Sequence, residues 1–226
     1  MPEPEQPVIH ALLKFGIRPH LEAFRNDGLL YMQSLAEFIN LESDAARGDT
    51  FEGATEIIQP HHVKDFIFEA PGFGRIEINP SDLGGPVQIA DFETASCNVY
   101  CMFAIIGPVD GPLLSSQNSQ FGDSFVLVLG PGEFLNRVVI AAREARLSRL
   151  EWRLVEYFDE EKYSGKVGRF RKRSLFAYQN EFRIAVEPFS SEPRKLAVGS
   201  LLDITSEVLP LSEANQHLDF STRSFR

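Results

Sequence analysis

Three features of the sequence predict an α+β fold with mixed, mainly antiparallel sheets and flanking helices. Strand-like segments outnumber helical ones, and the two do not alternate regularly as a doubly wound sheet requires. The strand-like segments are also short, rich in aromatic and β-branched residues, and bounded by Gly, Pro and Asn turns. A length of 226 residues suits one full-sized domain or two small ones. The expected organisation is a flexible, acidic, proline-rich tail over 1–7, a single α+β domain over 8–210 and a C-terminal tail over 211–226.

Val8 to Phe15 reads as a first strand, with His10, Leu12 and Lys14 on one face. Pro19 then starts a helix through Arg25, closed by the turn Asn26-Asp27-Gly28. Leu29 to Gln33 is a second strand. Ser34 is placed to cap a helix over Leu35 to Leu41, with Glu37 completing a capping box. A polar loop follows from Glu42 to Glu52. Val63 to Glu69 and Arg75 to Asn79 flank the turn Pro71-Gly-Phe-Gly74, as in a hairpin, and Val87 to Phe92 and Asn98 to Ile106 are further strands. The Gly-, Pro- and Ser-rich stretch from Gly107 to Gly122 is the expected mobile segment or lid.

Phe125 to Leu129 is a short buried strand stopped by Gly130-Pro-Gly132. In the helix that follows, Glu133 to Arg146, the residues Leu135, Val138, Val139, Ala142 and Ala145 line one face. Leu150, Trp152 and Leu154 alternate with charged residues, so a strand follows the helix. Glu181 to Val186 and Lys195 to Gly199 are late strands, and Asp203 to Val208 is a short terminal helix. No internal repeat or heptad pattern stands out.

Composition excludes several classes. The chain is 43% hydrophobic, too apolar for disorder, and no apolar run reaches the roughly 18 residues of a membrane span. The acidic, proline-rich start is the opposite of a secretory leader, which points to a cytoplasmic location. Cys97 and Cys101 lie four residues apart on one strand, about 13 Å and beyond the roughly 7 Å reach of a disulfide. They read as buried thiols, not metal ligands. His61-His62 lacks a third ligand at suitable spacing, so no metal is expected.

The net charge of −10 conceals an asymmetry. Residues 137–183 hold twelve Lys/Arg against seven Asp/Glu, a balance of +5, whereas the remainder carries −15. Five cations fall within Gly165 to Ser174: Lys166, Arg169, Arg171, Lys172 and Arg173. Such a stretch suits phosphates of a nucleotide or a polynucleotide, or is simply a solvated loop. It runs directly into Tyr178-Gln-Asn-Glu-Phe-Arg183. There Gln179 and Glu181, two apart, face the same side of an extended chain, while Phe182, Ile184 and Val186 fill the other.

This Gln-x-Glu at the start of a late strand resembles the signature strand of mono-ADP-ribosyltransferases. More widely, the chain resembles a loosely defined bacterial family linked to abortive infection and toxin systems. The similarity rests on residues 8–15, the Gly-Leu-Leu-Tyr segment within 28–34, the Arg-Gly-Asp-Thr-Phe-Glu-Gly loop at 47–53, and 178–183. It implies a split sheet, NAD as co-substrate, no metal, and a toxin or phage-defence role with an antitoxin protein as a possible partner. Glu181 would stabilise the oxocarbenium-like ribose formed when the nicotinamide bond breaks, and Gln179 would position the acceptor. An amide is no general base, so an acceptor other than arginine fits better.

The resemblance also implies an NAD-binding set. On the first strand the family carries Arg or His; Lys14 is the nearest equivalent here, and it lacks the guanidinium fork. Gln33-Ser34 stands in place of Ser-Thr-Ser, and Tyr31 would stack on nicotinamide as an aromatic does in the diphtheria-toxin-like branch. Arg47 would meet the pyrophosphate, oriented by Asp49 or Glu52. Arg169, Arg171, Lys172, Arg173 and Arg183 would guide an RNA, DNA or protein acceptor, or the NAD phosphates. Two other functional classes also fit the residues. One is an NAD-independent nuclease using Glu181, Arg183 and a histidine such as His10 or His20. The other is a non-catalytic binding or immunity protein whose acidic surface engages a basic partner.

Overall fold

Aromatic and apolar residues crowd the segment from Asn98 to Ile106, and it becomes the strand around which the chain is arranged. The computed structural model describes residues 7–40, 49–107, 114–187, 190 and 192–214, apart from the side chains of residues 39, 40 and 68. In order, the first elements are β1 (Ile9–Gly16), α1 (Arg18–Asp27), β2 (Leu29–Ser34) and α2 (Leu35–Asn40). β3 (Ala54–Ile58), β4 (Phe66–Ala70), β5 (Gly74–Ile78), β6 (Val87–Ala90) and α3 (Phe92–Ala95) follow. Next come β7 (Asn98–Ile106), β8 (Ser124–Val128), α4 (Pro131–Glu144), β9 (Arg149–Leu154), β10 (Glu156–Phe158), β11 (Gly165–Lys166) and β12 (Arg171–Arg173). β13 (Glu181–Glu187), β14 (Arg194–Ala197) and β15 (Leu209–Pro210) complete the series. The architecture is α+β, with antiparallel pairing throughout except between β10 and β12.

The main sheet has eight strands, ordered β14-β2-β7-β1-β8-β15, with β13 on the other edge of β7 and β9 outside it. β13 pairs with β7 from Asn98 to Phe103. Along the opposite edge β7 forks: β1 takes Phe103 to Ile106, whereas β2 takes only Asn98 and Val99. One face of the sheet carries Leu12, Tyr100, Met102, Phe182, Ile184 and Val186, covered by Phe24 of α1 and Phe134 and Val138 of α4. The opposite face carries Leu13, Phe103 and Phe125 in one cluster, and Val99, Ala185, Leu35 and Phe170 in another. Glu181 and Arg183 belong to this second face, because Glu181 pairs with Phe103 and Arg183 with Cys101.

Several expectations change on folding. Asp203 to Val208 is not a helix. It runs past the open edge of β8, where Leu129 N donates to Ile204 O, Ser206 N donates to Leu127 O, and Thr205 bridges to Val128. A sheet edge offers backbone partners that a short helix would forgo. Among the described residues Ser34 Oγ has no hydrogen-bond partner, so the expected capping box does not form; Leu35 N instead donates to Cys97 O. The strand from Val87 stops at Ala90, because the Asp91 carboxylate accepts from Thr94 N at 2.6 Å and opens α3. Residues 1–6, 108–113 and 215–226 lie outside the described residues, and with them most of both tails and the centre of the expected lid.

A quasi-symmetric arm was not expected from the sequence. β3 pairs with β6 and β4 pairs with β5, and each long side of this ribbon is broken by a 3₁₀ turn, Pro60–His62 or Pro80–Asp82. The turns arise from Gln59-Pro-His-His-Val63 and Asn79-Pro-Ser-Asp-Leu83, a similarity too short to register as a repeat. Proline sets φ at the start of each turn, and an extended Val63 or Leu83 ends it.

Glycine fixes one close approach. Gly28 ends α1 in the left-handed region (φ 61°), and a Cβ there would lie 2.0 Å from Gly199 O. Gly28→Ala therefore combines strain with a backbone clash and should lower stability by about 2–4 kcal/mol in urea titrations. Gly132, in the first turn of α4, has open space around the corresponding position. Gly132→Ala should leave stability unchanged or raise it by up to about 1 kcal/mol.

Candidate functional site

Tyr178-Gln-Asn-Glu-Phe-Arg183 enters the main sheet through a sharp backbone change. Ser174 to Gln179 forms a 3₁₀ segment, Asn180 takes a left-handed conformation (φ 37°), and only then does β13 begin. Gln179 and Glu181 are thus not neighbours on one extended strand. They are brought together by Lys172 of β12, whose Nζ donates to Gln179 Oε1 at 3.0 Å and to Glu181 Oε2 at 3.2 Å. Asn180 locks the turn: its Nδ2 donates to Ala104 O, and its own carbonyl accepts from Ala104 N.

Glu181 then becomes part of a four-charge cluster. Arg183 Nε donates to Glu181 Oε1 at 2.7 Å, and Arg183 Nη1 lies 2.6 Å from Glu52 Oε1. Lys172 Nζ also lies 3.4 Å from Glu52 Oε2, an oxygen with no hydrogen-bond partner among the described residues. Arg183 Nη1 further donates to Arg169 O, and Tyr157 Oη accepts from Glu181 N at 2.9 Å. The four side chains are buried, with Glu181 4% and Arg183 1% exposed.

Two carboxylates and two cations make the cluster neutral, which is the condition for burying charge at tolerable cost. Burial alone pushes the Glu181 carboxyl up. The Arg183 guanidinium and the Lys172 ammonium overcome that and hold it well below the usual carboxylate range. Burial works against the charged Lys172, but Glu181 and Glu52 raise it above its ordinary value. Burial, reinforced by the Glu181 charge, raises the Cys101 thiol to about 12 and also lifts the Tyr157 phenol.

A second knot adjoins the first. Asp49 accepts from Phe51 N, Arg173 N and Arg173 Nε, the last at 2.7 Å, and Arg173 Nη1 reaches Glu160 at 2.8 Å. The Arg173 guanidinium lies between the Phe51 and Phe176 rings, 5.4 Å from each centroid. Arg169 pairs with Glu187 at 3.0 Å and Arg171 with Glu156 at 2.7 Å. The cations expected to hold phosphate thus meet carboxylates of the same chain.

Among the described residues, those expected to bind NAD are not gathered round Glu181. Lys14 lies on the opposite face of the sheet, its Nζ 4.2 Å from the centre of the Tyr100 ring and donating to Cys101 O at the fork of β7. Tyr31 is 51% exposed on β2, Ser34 is fully buried at the end of that strand, and Arg47 lies outside the described residues. His10 and His20 are exposed on β1 and α1. Tyr157 and Cys101 join the site with no signal in the sequence that singles them out. Asp49 and Glu52 sit in a loop that the sequence marks only as polar; the aromatic Phe51 between them was the available sign of burial.

The cluster should govern stability at both pH extremes. Glu181 is depressed in the folded state, so its contribution is complete above its ordinary value of 4.5 and is lost as pH falls below that. Lys172 is raised, so its contribution is complete below 10.5 and is lost as pH rises past that value. Urea titrations across pH should show a smaller acid loss in Glu181→Gln than in wild type. At neutral pH, Arg183→Met should cost about 3–5 kcal/mol, because two carboxylates stay buried with one cation. No protein-family model, curated protein or solved structure matches the chain.

Proposed function

We propose that this chain is an ADP-ribosyltransferase-like toxin or phage-defence effector. On this reading it cleaves the nicotinamide–ribose bond of NAD and transfers ADP-ribose to a nucleic-acid or protein acceptor. One observation carries it. Two of the segments that resemble that family, the loop at 47–53 and the strand at 178–183, are more than a hundred residues apart and meet at Glu52, Glu181 and Arg183. The forked edge of β7 agrees with a split sheet.

Glu181 is the fixed carboxylate facing the developing positive charge on ribose, and Gln179 orients the acceptor. Glu52 Oε2, which meets Lys172 Nζ at 3.4 Å and accepts no hydrogen bond among the described residues, is the site for a ribose hydroxyl to donate to. Because Glu181 is 4% exposed, NAD enters only when Lys172 exchanges its carboxylate contact for the diphosphate. The departing nicotinamide is a good leaving group, so positioning and electrostatics supply most of the acceleration.

A second reading is favoured by the complete pairing of these charges. On it the cluster is a structural tie in a non-catalytic binding or immunity protein. Incubation with nicotinamide-labelled NAD and cell lysate separates the two. The transferase reading predicts nicotinamide release, reduced about 100-fold or more in Glu181→Gln. Gln179→Ala should retain release but lose transfer, with near-ultraviolet circular dichroism confirming that both variants fold. Wild type that releases no nicotinamide rejects the transferase. RNA or DNA cleavage without NAD would then indicate a nuclease, and inactivity on both a binding protein.

A further inference from the structure

The arm formed by β4, β5 and their flanking turns stands apart from the charge cluster and serves no purpose in the reading above. From Pro60 to Glu93 no described side chain is buried, although the segment is rich in Phe and Ile. A two-stranded ribbon is marginal in water unless an apolar face is covered. The register of β4 against β5 sorts the side chains sharply. Phe66, Ile76 and Ile78 fall on one face, and Ile67, Glu69, Arg75 and Glu77 on the other. The apolar face continues into a shallow groove of about 440 Å³ at the root of the arm, lined in part by Ile58, Val63, Val87 and Ile89. Phe73 at the tip is 81% exposed.

Two further features define what fits there. Within the described residues β4 and β5 pair only with each other, so each presents an outer edge of backbone donors and acceptors. Between Pro60 and Glu93 six carboxylates stand against two cations, Lys64 and Arg75. We propose that the arm docks a protein segment in extended conformation that alternates basic with apolar residues. Added as a further strand at either edge, such a segment places its apolar side chains on the face that carries Phe66, Ile76 and Ile78. The period of two then carries its basic side chains to the face of Glu69 and Glu77. A second copy of this chain is a poorer occupant, since two arms of the same negative charge repel.

The test uses the full chain and a fluorescent ten-residue peptide alternating lysine and valine, followed by anisotropy at low salt. Saturable binding is expected, with amide exchange slowed over 66–78, and a glutamate–valine peptide should not bind. Affinity should fall at least tenfold in Ile76→Ser/Ile78→Ser and in Glu69→Lys/Glu77→Lys. The second pair changes only exposed residues, so its fold is secure. Equal binding of both peptides, or binding unaltered in the two double variants, overturns the proposal. So does a wild-type dimer that sedimentation shows dissociating in Ile76→Ser/Ile78→Ser, which would assign the face to a second copy.

Discussion

Charge burial is the constraint on which this half of the molecule depends. Glu52, Lys172, Glu181 and Arg183 are all withdrawn from water, and each is tolerable there only because the other three are present. The four come from three separate segments: the loop before β3, the short strand β12, and β13 of the main sheet. Their mutual requirement holds an otherwise small layer, β10 with β12, against the second face of the sheet. Tyr157 of β10 extends the tie through its bond with the Glu181 backbone.

The same arrangement explains why a basic segment gives no basic surface at the cluster. Arg169, Arg171, Lys172, Arg173 and Arg183 each meet an acid of the same chain, so the local excess of cations is balanced in three dimensions by Asp49, Glu52, Glu156, Glu160, Glu181 and Glu187. On the transferase reading these pairs are the resting partners that a diphosphate displaces. The cluster is then both a structural tie and the place where the ligand must compete. Distance along the main sheet separates it from Lys14, which faces the other core at the fork of β7.

The arm follows the opposite logic. The cluster is sealed because charge cannot be left half-paired in a dry interior, whereas β4 and β5 leave apolar side chains half-covered and backbone edges open. No helix among the described residues is long and apolar enough to cross a membrane. The two proline turns of the arm interrupt the ribbon at matched points, and the first of them contributes His62 and Val63 to the groove at its root.

Much of the fold was readable from local patterns. Pro19 and Gly28 bracket α1, and the alternation of Phe182, Ile184 and Val186 marks the buried face of β13. The apolar spacing of 135–145 marks the helix α4, but its buried residues are Phe134, Val138, Ala141 and Ala142, and Ala145 is exposed. These depend on steric preferences and periodicity within a dozen residues, which any sequence displays directly. The α+β class and the free state of Cys97 and Cys101 follow from the same kind of information. Other features were decided between segments far apart. Asp203 to Val208 gave up helix for the edge of β8, Gln179 left the strand for a 3₁₀ turn, and Asp49 and Glu52 went inside. Each outcome depends on which backbone edge or opposite charge lies opposite in space. Periodicity is a property of one segment, but satisfying a buried charge or a sheet edge is a property of two, and only the tertiary structure brings the second into place.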